Sequence, residues 1–98
     1  MNEYYILKGK KAVPVVDFMT WARWFKEADR TVAKSSKGDM RVSTVFLGLD
    51  HQWGNGSPLL FETMIFGGEH DQYQERCATW EEAEAMHANA CELTGIKS

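Results

Sequence analysis

The chain has 98 residues, of which 44% are hydrophobic and 26% are charged. This length and composition are typical of one folded domain and exclude a disordered or low-complexity chain. No segment approaches the roughly 20 consecutive apolar residues that a transmembrane helix needs. The first residues also lack the basic and apolar regions of a signal peptide. We therefore expect a single domain, residues 1–98, in the cytoplasm, without membrane contact.

The net charge of −3 is unevenly distributed. Residues 1–49 carry nine basic and five acidic side chains, whereas residues 50–98 carry two basic and nine acidic ones. Such polarity can orient an encounter with a charged partner or favour head-to-tail self-association.

The N-terminal third predicts two short strands and a helix. The strands are Tyr4–Leu7 and Ala12–Val16, and Pro14 places the second at a sheet edge or beside a bulge, because proline donates no ladder hydrogen bond. Asp17 is a helix N-cap. From it a helix is predicted to run to about Lys34, with its apolar face formed by Phe18, Trp21, Ala22, Phe25, Ala28, Val32 and Ala33.

Two strongly apolar runs, from about Met40 to Leu49 and from Leu59 to Phe66, predict a long antiparallel hairpin. Both strands are apolar on both faces, which is unusual for a sheet with one side in water. We therefore expect one face to be covered by helices and the other by a second subunit or a partner protein.

The last third predicts a polar strand at Gln72–Ala78 and a second helix. Thr79 and Glu82 have the spacing of a capping box, and Gly95 suits the C-terminal cap after a helix ending near Leu93. The inward face of this helix is Trp80, Ala83, His87, Ala90 and Cys91. The whole is an α+β fold in the order ββαβββα, an antiparallel sheet with two helices packed on one face.

Several segments resemble a group of small uncharacterised proteins encoded by bacteriophages and prophages. The resemblance lies in Thr20–Phe25, Asp29–Ala33, Val42–His51, Leu59–Met64 and Thr79–Ala83, and it covers most of the chain. It implies a phage origin, a place in the host cytoplasm and, by analogy with other short phage proteins, action by binding a host protein, in some cases as an inhibitor of host defence. It implies no catalytic residue.

The most enzyme-like residues are Asp50, His51, His70 and Asp71. A hairpin places the two pairs at opposite ends of a strand of roughly 26 Å, at about 3.3 Å per residue, so they could share a metal only across an oligomer. The alternative is that they are ordinary turn residues. We expect no metal and no cofactor, and we expect Cys77 and Cys91 to be reduced thiols.

Three ionisable residues interrupt apolar faces. Glu62 lies mid-strand, and we expect it to pair across strands with a lysine or an arginine. Asp29 and His87 each lie at the centre of a helical apolar stripe, which predicts a buried polar pair that fixes helix register, or a helix end that overhangs the core. The functional alternative is a proton-handling dyad.

Two surfaces are candidates for macromolecular contact. The interface candidates for a host or phage protein, or for a homodimer built on the sheet, are Trp53, Phe46, Met64, Phe66 and Trp24. The nucleic-acid candidates on the polar side of the first helix are Arg23, Lys26, Arg30 and Lys34. The acidic second half argues against broad nucleic-acid affinity, so the leading hypothesis is a non-enzymatic protein-binding protein.

Overall fold

The computed structural model describes residues 3–51 and 56–97. Its elements are β1 (Tyr4–Lys8), β2 (Lys11–Val15), α1 (Phe18–Glu27), β3 (Thr31–Lys37), β4 (Met40–Phe46), β5 (Phe61–Phe66), β6 (Gln74–Cys77) and α2 (Trp80–Thr94). The α+β class with antiparallel strands is confirmed, but the order is ββαββββα, with one more strand than predicted.

The additional strand, β3, lies where the first helix was predicted to continue to Lys34. Helix α1 ends at Glu27, and Ala28 is already extended at φ −75° and ψ 144°. The residues that follow include β-branched Thr31 and Val32, which favour a strand. Gly38, at φ 58°, occupies a two-residue loop that returns the chain to β4. The long pairing with β4 then satisfies the backbone groups that a longer helix would have satisfied within itself.

The strands form two separate antiparallel sheets. β1 and β2 make a two-stranded sheet in which Pro14 lies opposite Tyr5 at an exposed position, as expected for an edge. The other sheet has the order β3-β4-β5-β6. An isolated bridge between Tyr4 and Leu49 links the two.

The four-stranded sheet has one covered face and one open face. On the covered face Val42 pairs with Ile65, Thr44 with Thr63 and Phe46 with Phe61, and all six side chains are buried. Helix α2 lies across this face and contacts all four strands. The side chains that alternate with these six point to the other side, here called the open face, where no described helix packs.

Each helix is fixed by its caps and by one apolar side. The Thr79 and Glu82 side chains form the predicted capping box of α2, and Gly95 closes that helix at φ 77°. Helix α1 begins at Asp17, whose Oδ2 accepts a hydrogen bond from the Thr20 backbone N–H at 3.1 Å. It packs on β1 and β2, and its Trp24 ring meets Phe46 edge-on at 5.7 Å.

The core under α2 has two apolar clusters. The first contains Val42, Ile65, Ala90, Cys91 and Ile96, and the second contains Phe46, Leu60, Phe61 and Ala83. The register places the Thr44–Thr63 pair between these clusters, beneath His87 of α2. A polar layer therefore crosses the middle of an otherwise apolar core.

Candidate functional site

The polar layer is a chain of hydrogen bonds that runs through His87. His87 Nδ1 lies 2.7 Å from Thr44 Oγ1, and Thr44 Oγ1 lies 2.5 Å from Thr63 Oγ1. On its other side His87 Nε2 lies 2.9 Å from Ser35 Oγ. The network thus ties β3, β4 and β5 to α2 through side chains alone.

Strand register and the packing of α2 explain why these groups meet. Thr44 and Thr63 are directly opposite each other in β4 and β5, at positions that face the core. A buried hydroxyl needs a partner, and His87, one helical turn after Ala83 on the inward side of α2, supplies it. Sequence reasoning identified His87 but missed Ser35, Thr44 and Thr63, because their pairing depends on strand register. The signal available was a threonine at the matching central position of each apolar strand.

The environment of His87 disfavours the protonated form of its imidazole. The side chain is 3% exposed, and this burial lowers the pKa of His87 below its ordinary value. A neutral imidazole has one donor and one acceptor nitrogen, which matches its two hydroxyl partners.

The Ser35–His87 contact has the form of a nucleophile and its general base. The orienting partner on Nδ1, however, is the neutral hydroxyl of Thr44 rather than a carboxylate, so it would not stabilise an imidazolium as the aspartate of a catalytic triad does. The arrangement is suited to holding the elements together in one register.

The predicted Asp29–His87 pair is not formed, and that prediction is wrong. Asp29 is exposed beyond the end of α1, where its Oδ1 accepts a hydrogen bond from the Thr31 backbone N–H at 3.0 Å. That bond also lowers the pKa of Asp29. Asp29 interrupts the apolar pattern because it lies after the end of helix α1 at Glu27.

The four enzyme-like residues lie in turns. Asp50 Oδ1 accepts a hydrogen bond from the Leu59 backbone N–H at 3.1 Å, and Asp71 Oδ1 accepts one from Gly67 N–H at 2.6 Å. The register places Asp50 and His51 beyond one end of the β4–β5 pair and His70 and Asp71 beyond the other. Within residues 3–51 and 56–97, no group of three or more His, Cys, Asp or Glu side chains could hold a metal ion.

Glu62 pairs across strands as predicted. Its Oε2 accepts a hydrogen bond from Arg76 Nε at 2.9 Å and another from the Gln74 side-chain amide. The Arg76 guanidinium therefore compensates the negative charge of Glu62 on the open face.

The predicted basic strip on one helix face does not exist, because α1 stops at Glu27. Arg23 and Lys26 are exposed on α1, but Lys34 is on β3. Arg30 is engaged locally: its Nη1 donates to the Phe46 carbonyl at 2.9 Å, and its guanidinium lies 3.9 Å from the centre of the Phe25 ring.

The interface candidates separate into core and surface. Phe46 is fully buried, so the prediction that it forms a surface is wrong, whereas Trp24 packs against Phe46 and stays partly exposed. Met64 and Phe66 lie on the open face and are partly exposed. Trp53 lies outside the described residues.

Sequence reasoning missed an exposed apolar surface at the start of α1. Val16 is 88% exposed, Phe18 is 52% exposed and Met19 is 58% exposed. Phe18 had been placed on the inward face, and its ring does contact Tyr4 and Trp21, but more than half of its surface faces solvent. Adjacent large apolar side chains left in water are a common mark of a contact surface.

A cavity of about 500 Å³ lies between the β1–β2 sheet and the start of α2. Tyr5, Leu60 and Trp80 contribute apolar walls, and Lys10 Nζ lies 5.8 Å from the centre of the Trp80 ring at its rim. The cavity is therefore a hydrophobic recess with a cationic rim.

No protein-family model matches the chain, and neither curated proteins nor solved structures provide a match. Within the described residues, no helix has both the length and the apolar character required to cross a bilayer.

Proposed function

We propose that the chain is a phage- or prophage-encoded accessory protein that acts without catalysis, by binding another protein through the open face of its four-stranded sheet. The observation that carries the proposal is the presence of Val45, Met64 and Phe66 on that face, in the two central strands, without a covering helix. The target would be a host or phage protein in the host cytoplasm, and a component of host defence is one such target.

The open face has the layout of a protein interface. Val45, Met64 and Phe66 form the apolar part of its centre, beside the Glu62–Arg76 ion pair. Its polar margins include Lys34 on β3, Arg41 on β4 and Gln74 on β6, which are exposed. The Arg41 guanidinium lies 4.7 Å from the centre of the Phe66 ring. An apolar centre that excludes water and a polar rim that sets orientation are the usual parts of a specific interface.

Two features support binding over catalysis. The carboxylates of Asp50 and Asp71 accept backbone hydrogen bonds within their own loops. The Ser35–His87 contact lacks a charged orienting group on the histidine. The rival hypothesis, an enzyme assembled across a dimer from Asp50, His51, His70 and Asp71, predicts bound metal in the purified protein and a loss of function on His51→Ala or His70→Ala.

A second candidate, single-stranded nucleic-acid binding, is favoured by one observation on the same face. Lys34 and Arg41 are exposed there, and the Phe66 ring beneath Arg41 could stack on a base. Binding that weakens steeply with salt, and that is lost in a Lys34→Glu, Arg41→Glu variant, would support this candidate over a protein partner.

The test is affinity purification of the tagged protein from host lysate, followed by mass spectrometry. Met64→Lys places a charge at the apolar centre of the open face beside Glu62, while the long side chain can still reach water. The matched control is Leu93→Lys, on exposed helix surface away from the sheet. We expect one host protein near stoichiometry with the wild type and the control, and its loss with Met64→Lys. Equal retention by all three proteins would contradict the use of this face.

The phage origin has a separate test, the genomic neighbourhood. Genes for phage structural or regulatory proteins on both sides of the coding sequence are expected. A position among conserved chromosomal genes in every host would refute the origin.

A further inference from the structure

Helix α1 presents a basic and apolar stripe to solvent. Met19, Arg23 and Lys26 are all exposed, and at 100° per residue they lie along one line of the helix. Val16 and Phe18, also exposed, continue the apolar end of this surface. We call Met19, Arg23 and Lys26 the α1 stripe.

Helix α2 presents the opposite chemistry to solvent. Its exposed residues Glu81, Glu84, Ala85, Ala88 and Glu92 fall on one line on the side away from the sheet. This α2 stripe is acidic, and its centre consists of alanines that leave room for a larger side chain. Within the described residues, none of the glutamates of this stripe and neither cation of the α1 stripe forms a salt bridge.

The two stripes match in spacing when the helices run antiparallel. With Lys26 opposite Glu81, Arg23 falls opposite Glu84 and Met19 falls opposite Ala88, since both stripes repeat at three and seven residues. A parallel alignment with Arg23 opposite Glu81 would place Met19 beyond the start of α2. The antiparallel arrangement also aligns the helix dipoles favourably.

The contact has to form between two molecules. In one chain α1 packs on the two-stranded sheet and α2 on the four-stranded sheet, and both stripes face solvent. A helix of ten residues is about 15 Å long, so one such contact is small against the roughly 1,200 Å² that a stable interface buries in total. A twofold arrangement makes the contact twice, because each α1 meets the α2 of the other copy.

We propose that a second copy of this chain docks its α2 stripe on the α1 stripe, antiparallel and reciprocally, to form a dimer. Since both stripes lie on the helices, the open face of the sheet stays available in the dimer. This inference does not depend on the proposed partner-binding function. It replaces the predicted homodimer built on the sheet with one built on the helices.

The experiment is sedimentation velocity on the full chain over about 10–500 µM, at low and at high salt. Variant one is Arg23→Glu with Lys26→Glu, and variant two is Glu81→Lys with Glu84→Lys. We expect a wild-type dimer that weakens with salt, and each variant alone to associate at least about 10-fold more weakly. An equimolar mixture of the two variants restores opposite charge at both contacts, and we expect it to form a mixed dimer.

The controls separate misfolding from loss of contact. Lys8→Glu with Lys37→Glu reverses two exposed cations outside both stripes and should leave association unchanged. Ala88→Arg blocks the position opposite Met19 while keeping a strong helix former, and should yield a monomer with an unchanged circular dichroism spectrum.

Three results would overturn the proposal: a wild type that stays monomeric throughout, association that survives both charge reversals, or a mixture that does not associate. A partner captured through the open face would still be captured in each case, so failure of the dimer is distinguishable from failure of the proposed function.

Discussion

Protonation of His87 would introduce a charge into a layer of the core whose other polar groups are hydroxyls. In the folded chain burial lowers the pKa of His87 from its ordinary value of 6.5, and burial is the only cause of that shift. A protonated ring would also have two donor nitrogens, so both Ser35 and Thr44 would have to act as acceptors. Acidification is therefore expected to destabilise the fold through this residue.

The direction and the size of this change in the free energy of unfolding follow from proton linkage. Well above pH 6.5 the imidazole is neutral in both states, and its contribution to stability is fully present. Below that value the unfolded chain takes up a proton that the folded chain resists, so the free energy of unfolding falls by up to about 1.4 kcal/mol per pH unit. The free energy of unfolding stops falling once the pH is below the folded-state pKa of His87. Each kcal/mol corresponds to about 4–8 °C in Tm for a domain of this size.

The assay is urea unfolding at intervals between pH 8 and pH 4.5, with His87→Gln as control. The lowered pKa values of Asp17 and Asp29 act below their ordinary value of 3.8, outside this window. We expect His87→Gln to be less stable than the wild type at pH 8, by about 1–3 kcal/mol, because it disturbs a buried hydrogen-bond network. Its stability should also depend less on pH. Identical pH profiles for the two proteins would refute the reasoning.

Three further predictions concern single positions. Gly67→Ala should destabilise by about 2 kcal/mol or more in urea unfolding, since φ is +85° and an added Cβ would lie 2.3 Å from the Asp39 carbonyl oxygen; unchanged stability would contradict this geometry. Thr79→Ala removes the capping-box hydroxyl of α2 and should cost about 1 kcal/mol, visible as a lower Tm, whereas Thr79→Ser should restore most of it. Burial raises the pKa of Cys77 to about 11 from 9.0, so iodoacetamide should alkylate this thiol about 100-fold more slowly at pH 8 than the same thiol in urea; equal rates would count against the burial.

Elements whose signals are local were predictable from the sequence. Thr79 and Glu82 define a cap within four residues, and Gly95 ends the same helix by its own backbone freedom, so the position of α2 needed no tertiary information. The strand alternation around Phe46 and Phe61 likewise predicted the central hairpin. Glu62 forms the predicted cross-strand ion pair, with Arg76. The prediction of a strand at Phe46 is confirmed, but the prediction that Phe46 faces a partner is wrong. Both faces of that strand are apolar in sequence, so the pattern does not show which face is buried.

The end of α1 was not predictable from the apolar spacing that was used. Ala28, Val32 and Ala33 fit a helical period by coincidence, and the decisive choice was the pairing of Thr31–Lys37 with β4. The turn at Gly38 between two alternating runs was the available signal, and it indicated a hairpin. That one error placed Asp29 on a buried helix face, put Lys34 in a helical basic strip and hid the role of Ser35 in the core.

The sequence by itself determined the fold class, the main hairpin, α2 with its caps and the opposite charge of the two halves of the chain, since these depend on neighbouring residues and on composition. Only the tertiary structure decided which sheet face α2 covers, that Thr44, Thr63 and Ser35 converge on His87, and that Phe18 and Met19 are exposed to solvent. Each of these depends on strand register and on long-range packing, where a shift of one residue turns a side chain from the core to the surface.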